Sequence, residues 1–90
     1  MSWLVVLRAA REGIESEREM LEAHWEYLRR LHADGKLVVA GPSWIGENPF
    51  GIGVFDVADR AEVEAALAED PAITSGAMLA EIRPMRIITR

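Results

Sequence analysis

The chain contains no cysteine, which excludes a disulfide framework and any thiolate metal centre. It also lacks a long hydrophobic run. The longest near the N-terminus, Trp3 to Leu7, is too short for the core of a signal peptide and far too short to span a bilayer. Basic residues are outnumbered: ten Lys and Arg stand against fifteen Asp and Glu, a formal net charge of −5. A surface of that sign does not neutralise phosphates and release counterions, so general nucleic-acid binding is excluded. Low-complexity tracts, linkers and repeats of solenoid period are absent as well. With no signal for export or insertion, the expectation is a cytoplasmic protein with neither membrane nor nucleic-acid partners.

What is present is a chain of 90 residues, half of them hydrophobic. That length predicts one domain over residues 1–90, and the hydrophobic share supports a core rather than disorder. A chain this short buries only about 60% of the surface its unfolded form exposes. Pairing with a second copy completes many such cores, so a homodimer is expected.

Trp3-Leu4-Val5-Val6-Leu7 is rich in β-formers and apolar at every position, the pattern of a strand covered on both faces. Residues 9–14 read as a loop. From Glu15 or Ser16 to Ala33 the period becomes helical, with Met20, Leu21, His24, Leu28 and Leu31 on one face. Ser16 with Glu19 reads as a capping box, and Gly35 as the residue that ends the helix. Leu37 to Ala40 predicts a second strand, stopped by Gly41-Pro42, and residues 43–49 predict a loop. Gly51 to Val57 resumes strand character, its glycines pointing to a bulge or a close backbone approach. Asp59 and Glu62 form a second capping box ahead of a helix with Val63, Ala66 and Leu67 inward. Asp70-Pro71 opens a short helical turn ended by Gly76. Leu79 to Thr89, interrupted by Pro84, predicts the last strand.

The order strand, helix, strand, strand, helix, strand is the ferredoxin-like β-α-β-β-α-β pattern of an α+β fold. Such a domain packs its helices on one face of an antiparallel sheet and leaves the other face to be covered.

His24 sits on the inward stripe of the long helix. One reading makes it a core-edge histidine bonded to a backbone carbonyl. The other makes it a general acid or base, because an imidazole titrates near neutral pH without help. A histidine in that role needs an orienting carboxylate. Asp34 lies ten residues along the helix, roughly 15 Å at 1.5 Å per residue, and is too far. Asp70, at the end of the second helix, is within reach, and it also suits the N-cap of the turn at Pro71. Both roles are compatible. His32 is expected to be solvated. His24 and His32 are two helical turns apart rather than one, so no metal site is expected.

The Gly41-Pro42-Ser43 turn offers backbone N–H groups and a hydroxyl to an anion or polar ligand, or is merely a tight turn. Trp44 and Phe50 either wall a pocket or cover an interface. The glutamates of the second helix read as a solvated face, and there is no phosphate loop, nucleophile elbow or carboxylate pair.

The run His24-Trp25-Glu26-Tyr27-Leu28-Arg29-Arg30-Leu31, with Gly35-Lys36-Leu37 and Ala40-Gly41-Pro42, resembles the YCII-related domain family. So do Ala65 to Pro71, Gly76 and the closing Glu81-Ile82-Arg83-Pro84. The resemblance spans nearly the whole chain. It implies a ferredoxin-like fold of the dimeric α+β barrel type, and a pocket whose histidine and aspartate are proposed as an active-site pair. These fall on His24 and Asp70, with Ser43 a weaker correspondence. One lineage of the family is linked to dehydrochlorination of a chlorinated hydroxyquinol, which a His-Asp pair would serve by taking a ring-hydroxyl proton.

The leading expectation is therefore a small cofactor-independent enzyme acting by elimination or isomerisation on a small organic molecule. His24 and Asp70 carry the chemistry, and Gly41, Pro42, Ser43, Trp44 and Phe50 form the ligand site. The competing expectations are a non-catalytic ligand-binding or regulatory homodimer, and an interaction module whose apolar sheet face receives another protein.

Overall fold

The computed structural model describes residues 1–88. The end of the expected last strand at Thr89 lies outside them. The elements are β1 (Ser2–Ala9), α1 (Arg18–Ala33), β2 (Leu37–Ile45), β3 (Asn48–Asp56), α2 (Arg60–Leu67), α3 (Pro71–Thr74) and β4 (Met78–Met85). The sheet runs β2-β3-β1-β4 with every neighbour antiparallel, which is the expected β-α-β-β-α-β architecture.

Alternation along β1 divides the sheet. Trp3, Val5 and Leu7 are buried beneath the helices, where they join Leu31 of α1, Leu37, Phe55, Val57, and Val63 and Leu67 of α2. Leu4 and Val6 point the other way and are half-buried. The helix side is therefore the core and the opposite side is open. Within the core the Trp3 indole N–H is buried without an acceptor among the described residues.

The helix ends follow local chemistry, with one departure. Asp59 Oδ1 accepts the Glu62 N–H at 3.0 Å and caps α2. Gly35 and Gly76 adopt the left-handed conformation, φ 79° and 75°, as turns after a helix require. The Ser16 capping box does not form. Residues Ile14–Ser16 make a separate 3-10 turn, and the Ser16 hydroxyl donates to the Gly13 carbonyl at 2.8 Å. The residue before α1 is Glu17, whose carboxylate is drawn to Arg11 instead of to the helix N–H groups.

The expected loop over residues 43–49 is also corrected. β2 continues through Gly41-Pro42 to Ile45, and β3 begins at Asn48, so the connection is the tight turn Gly46-Glu47. Pro42 pairs with Gly51 and Pro84 with Trp3 without breaking their strands. Both prolines lie on edge strands, where a residue without an N–H can face away from the ladder. The β3 glycines pair regularly with Ala40 and Pro42, and the one register shift of this strand pair lies on β2 between Leu37 and Val39, opposite Phe55 and Val54. The close approach is real: a Cβ at Gly51 would stand 3.3 Å from Leu7 Cβ.

Asp59→Ala is expected to cost about 1 kcal/mol through loss of the α2 cap. Ser16→Ala, which breaks only an exposed turn bond, is expected to stay within about 0.5 kcal/mol. Urea melts of the two variants beside the wild type read the difference.

Candidate active site

α1 presents His24 to the sheet, and the imidazole is 5% exposed. Opposite it, the chain leaves α2 and enters α3 at Asp70, which is fully buried. Asp70 caps α3: its Oδ1 accepts the Ala72 N–H at 2.9 Å, and Pro71 occupies the first helical position, where a missing N–H costs nothing. The same carboxylate accepts from His24 Nδ1, at 2.7 Å through Oδ1 and 2.9 Å through Oδ2. An ionised carboxylate only accepts, so Nδ1 carries the proton. Nε2 then has no bonding partner among the described residues, and His24 lines a cavity.

The backbone-carbonyl alternative for His24 is thus not what forms. That arrangement belongs to His32, whose Nδ1–H donates to the Leu37 carbonyl at 2.9 Å. His32 is exposed, as expected, but tethered.

The cavity is about 1230 Å³ and lies between α1, the segment before it, and the sheet. Its wall is mainly apolar, with Leu21, Trp25 and Leu28 from α1, and Val5, Leu7 and Phe55 from the sheet. Of the residues singled out in the sequence, His24, Asp70, Gly41, Pro42 and Phe50 line it. Ser43 and Trp44 do not. They sit in the outer part of the hairpin, where Ser43 pairs with Phe50 and Trp44 is 60% exposed. Gly41-Pro42-Ser43 is extended strand rather than a turn, so its N–H groups form no anion cradle.

Two contributors escaped the sequence reading. Trp25 is half-buried, lines the cavity, and sets its ring 5.8 Å from that of His24 at an angle of 56°. Its position directly after an inward histidine was the available signal. The other is the segment before α1, where residues 11–15 line the cavity. Arg11 clasps this segment: its guanidinium meets the Glu17 carboxylate at 2.6 and 3.1 Å and donates to the Ser75 carbonyl at 3.0 Å. The segment is thereby tied to the end of α3, the turn that Asp70 begins. Hydrogen bonding to Arg11 holds the Glu17 carboxyl below its ordinary pKa. On the far side of α1, Tyr27 donates to the Ala66 carbonyl at 2.7 Å and fixes α1 against α2. Burial, then the charges of Glu69 and Asp70, push the Tyr27 pKa up.

The described residues bring together no group of three His, Cys, Asp or Glu side chains able to hold a metal ion. No helix among them is long and apolar enough to cross a membrane.

This fold and sequence pattern define a known class. The chain belongs to the YCII-related domain family, whose pattern matches residues 1–86. In structure it is similar to 5-chloro-2-hydroxyhydroquinone dehydrochlorinase (TftG) from Burkholderia phenoliruptrix AC1100, solved in complex with 2,5-dihydroxybenzoquinone. The TM-score is 0.73 over 93% of each chain at 19% identity, a likeness of fold. None of the curated proteins matches the chain.

The clasp has a pH dependence of definite sign. A carboxyl whose folded pKa is depressed adds stability that is complete above its unfolded pKa and is lost as pH falls through the folded one. Hydrogen exchange at the Ser16 and Glu17 amides, which bond to Gly13 and Ile14, is therefore expected to lose protection on acidification. Glu17→Gln should show that loss already at neutral pH.

Proposed function

We propose that the chain is a small acid–base enzyme that works without a cofactor, with His24 as the proton-transfer group and Asp70 as its orienting partner. The observation that carries this reading is the buried bond of Nδ1 to both Asp70 oxygens, which leaves Nε2 as the basic nitrogen of a histidine that lines the cavity. In that tautomer Nε2 takes a proton from a hydroxyl or an acidic C–H of a bound molecule, and Asp70 stabilises the imidazolium that results. The electron pair left on the substrate either expels a leaving group, giving elimination, or is protonated elsewhere by the imidazolium, giving isomerisation. A mainly apolar wall with one polar corner suits a small, partly apolar molecule. Gly41, Pro42 and Phe50 belong to that wall. Ser43 and Trp44, outside the cavity, have no part in it.

Chlorinated hydroxyquinols are the first substrates to try, because the similar dehydrochlorinase acts on one. His24→Ala is expected to abolish turnover. Asp70→Asn keeps a side chain able to cap α3 but offers His24 an amide in place of a carboxylate. It is expected to lower kcat by roughly 10²–10⁴-fold, the range that loss of an acid–base group or its tautomer control produces. ¹⁵N chemical shifts of His24 provide the second reading, moving from an Nδ1–H pattern in the wild type to a mixed one in Asp70→Asn. Unchanged turnover in both variants would sink the proposal. Ligand-induced thermal stabilisation without any product would favour the binding-protein alternative.

The same reading includes a homodimer formed through the open face of the sheet. Strand register sets Val39, Val54 and Leu4 in one row across that face, and Ile52 beside Val6 in the next. Toward β4 these rows end in Arg83 and Glu81, which bond each other at 2.8 Å, while Arg8 meets Glu81 at 3.4 Å. An apolar centre with a charged border is the anatomy of an interface. Val39, 57% exposed in one copy, is the diagnostic position: Val39→Asp is expected to turn a dimer into a folded monomer by light scattering.

A further inference from the structure

β3 carries Gly51 and Gly53 two residues apart in the interior of the sheet. Glycine in such a position weakens a strand and needs a reason. Conformation is not the reason, because the glycines with positive φ among the described residues are Gly13, Gly35, Gly46 and Gly76. Packing accounts for Gly51, where an added Cβ would press on Leu7 Cβ at 3.3 Å. It does not account for Gly53. A Cβ there would meet Leu37 at 3.5 Å, Phe55 at 3.8 Å and Ala40 at 4.0 Å, all ordinary contacts.

The three side chains that this Cβ would touch all line the cavity of His24, as Gly53 does. A side chain at position 53 would thus take up space that the cavity now has. Pairing of Val5 with Gly53 and Leu7 with Gly51 puts both glycines on the helix side of the sheet. At Gly51 the Leu7 side chain stands over the backbone, so the stretch of floor that lacks a side chain is at Gly53. The helix side of the cavity contributes the Trp25 indole, set beside the His24 ring. An indole in the wall and one floor position without a side chain suit a flat ring, which stacks on aromatic faces. A puckered ring of equal size does so poorly.

We infer that Gly53 is a specificity-determining residue, kept free of a side chain so that a planar ring can lie against the β3 backbone in the cavity that Trp25 also lines. The inference concerns the cavity of the acid–base proposal and names its substrate class, but it does not require that a reaction occur.

Hydroquinone and 1,4-cyclohexanediol make a suitable probe pair, since they share size and hydroxyl positions and differ in flatness. Dissociation constants from protein-observed NMR titrations up to about 20 mM are expected to favour hydroquinone by at least tenfold in the wild type. Gly53→Ala is expected to melt no lower than the wild type, because it removes a strand glycine without a clash, and yet to weaken hydroquinone at least fivefold. Trp25→Leu supplies an independent arm, expected to reduce the preference for the flat ring. Equal affinity for the two diols overturns the inference, as does no binding of hydroquinone, or hydroquinone affinity unchanged in Gly53→Ala. His24→Ala separates this inference from the enzymatic reading. Ring preference in a wild type that turns over none of the substrates tried supports the slot and removes the enzyme. Turnover lost in His24→Ala, with no ring preference in the wild type, does the reverse.

Discussion

A carboxylate with no exposure to solvent is the constraint around which this small fold is arranged. Asp70 is fully buried, and an ion in that position is tolerated only with donors on its oxygens. It has them from two directions: the Ala72 N–H of its own turn and the Nδ1–H of His24. Breaking a buried pair by removing one partner typically costs about 3–5 kcal/mol, a large share of the stability of a domain this size. The pair therefore fixes which face α1 turns to the sheet and where α3 begins. It also sets the imidazole so that its second nitrogen is left for something else.

The cavity follows from that arrangement. α1 is pinned at His24 to α3 and at Tyr27 to α2, while the hairpin of β2 and β3 runs on to the turn at Gly46-Glu47. The space between helix and sheet is lined in part by the aliphatic core, with Val5, Leu7, Leu37, Phe55 and Leu67 among its walls. Arg11, which also lines it, is bonded at once to Glu17 ahead of α1 and to Ser75 behind α3. The Arg11 segment and the charge pair are thereby parts of one unit, joined through the α3 turn.

Much of this could be read in advance, and the misses have specific causes. The inward stripe of α1 was visible because helical period survives in the apolar residues around His24. Asp70 was visible because Asp-Pro is both a cap signal and a break in the helical pattern. The β2–β3 hairpin was not visible. Gly41, Pro42, Gly46 and Pro49 all carry turn character, and only edge position decides that Pro42 continues a strand. The role expected of Ser43 and Trp44 rested on that loop, and once the segment is extended they lie beyond the cavity. Ser16 shows the same competition at a smaller scale: a good capping residue was taken up by the Gly13 carbonyl, one turn too early.

By itself the sequence determined the kind and order of the elements, the inward, sheet-facing position of His24, and the chemistry available to it. Those depend on period, on capping residues and on the absence of cysteine, all of which act over a few positions along the chain. The tertiary structure decided which carboxylate meets the imidazole across 46 positions, that Trp25 and the Arg11 segment border the cavity, and that Gly53 of β3 lines it without a side chain. Those depend on strand register and on burial. A glycine reads the same in a turn, a bulge or a strand until the neighbours around its missing Cβ are known.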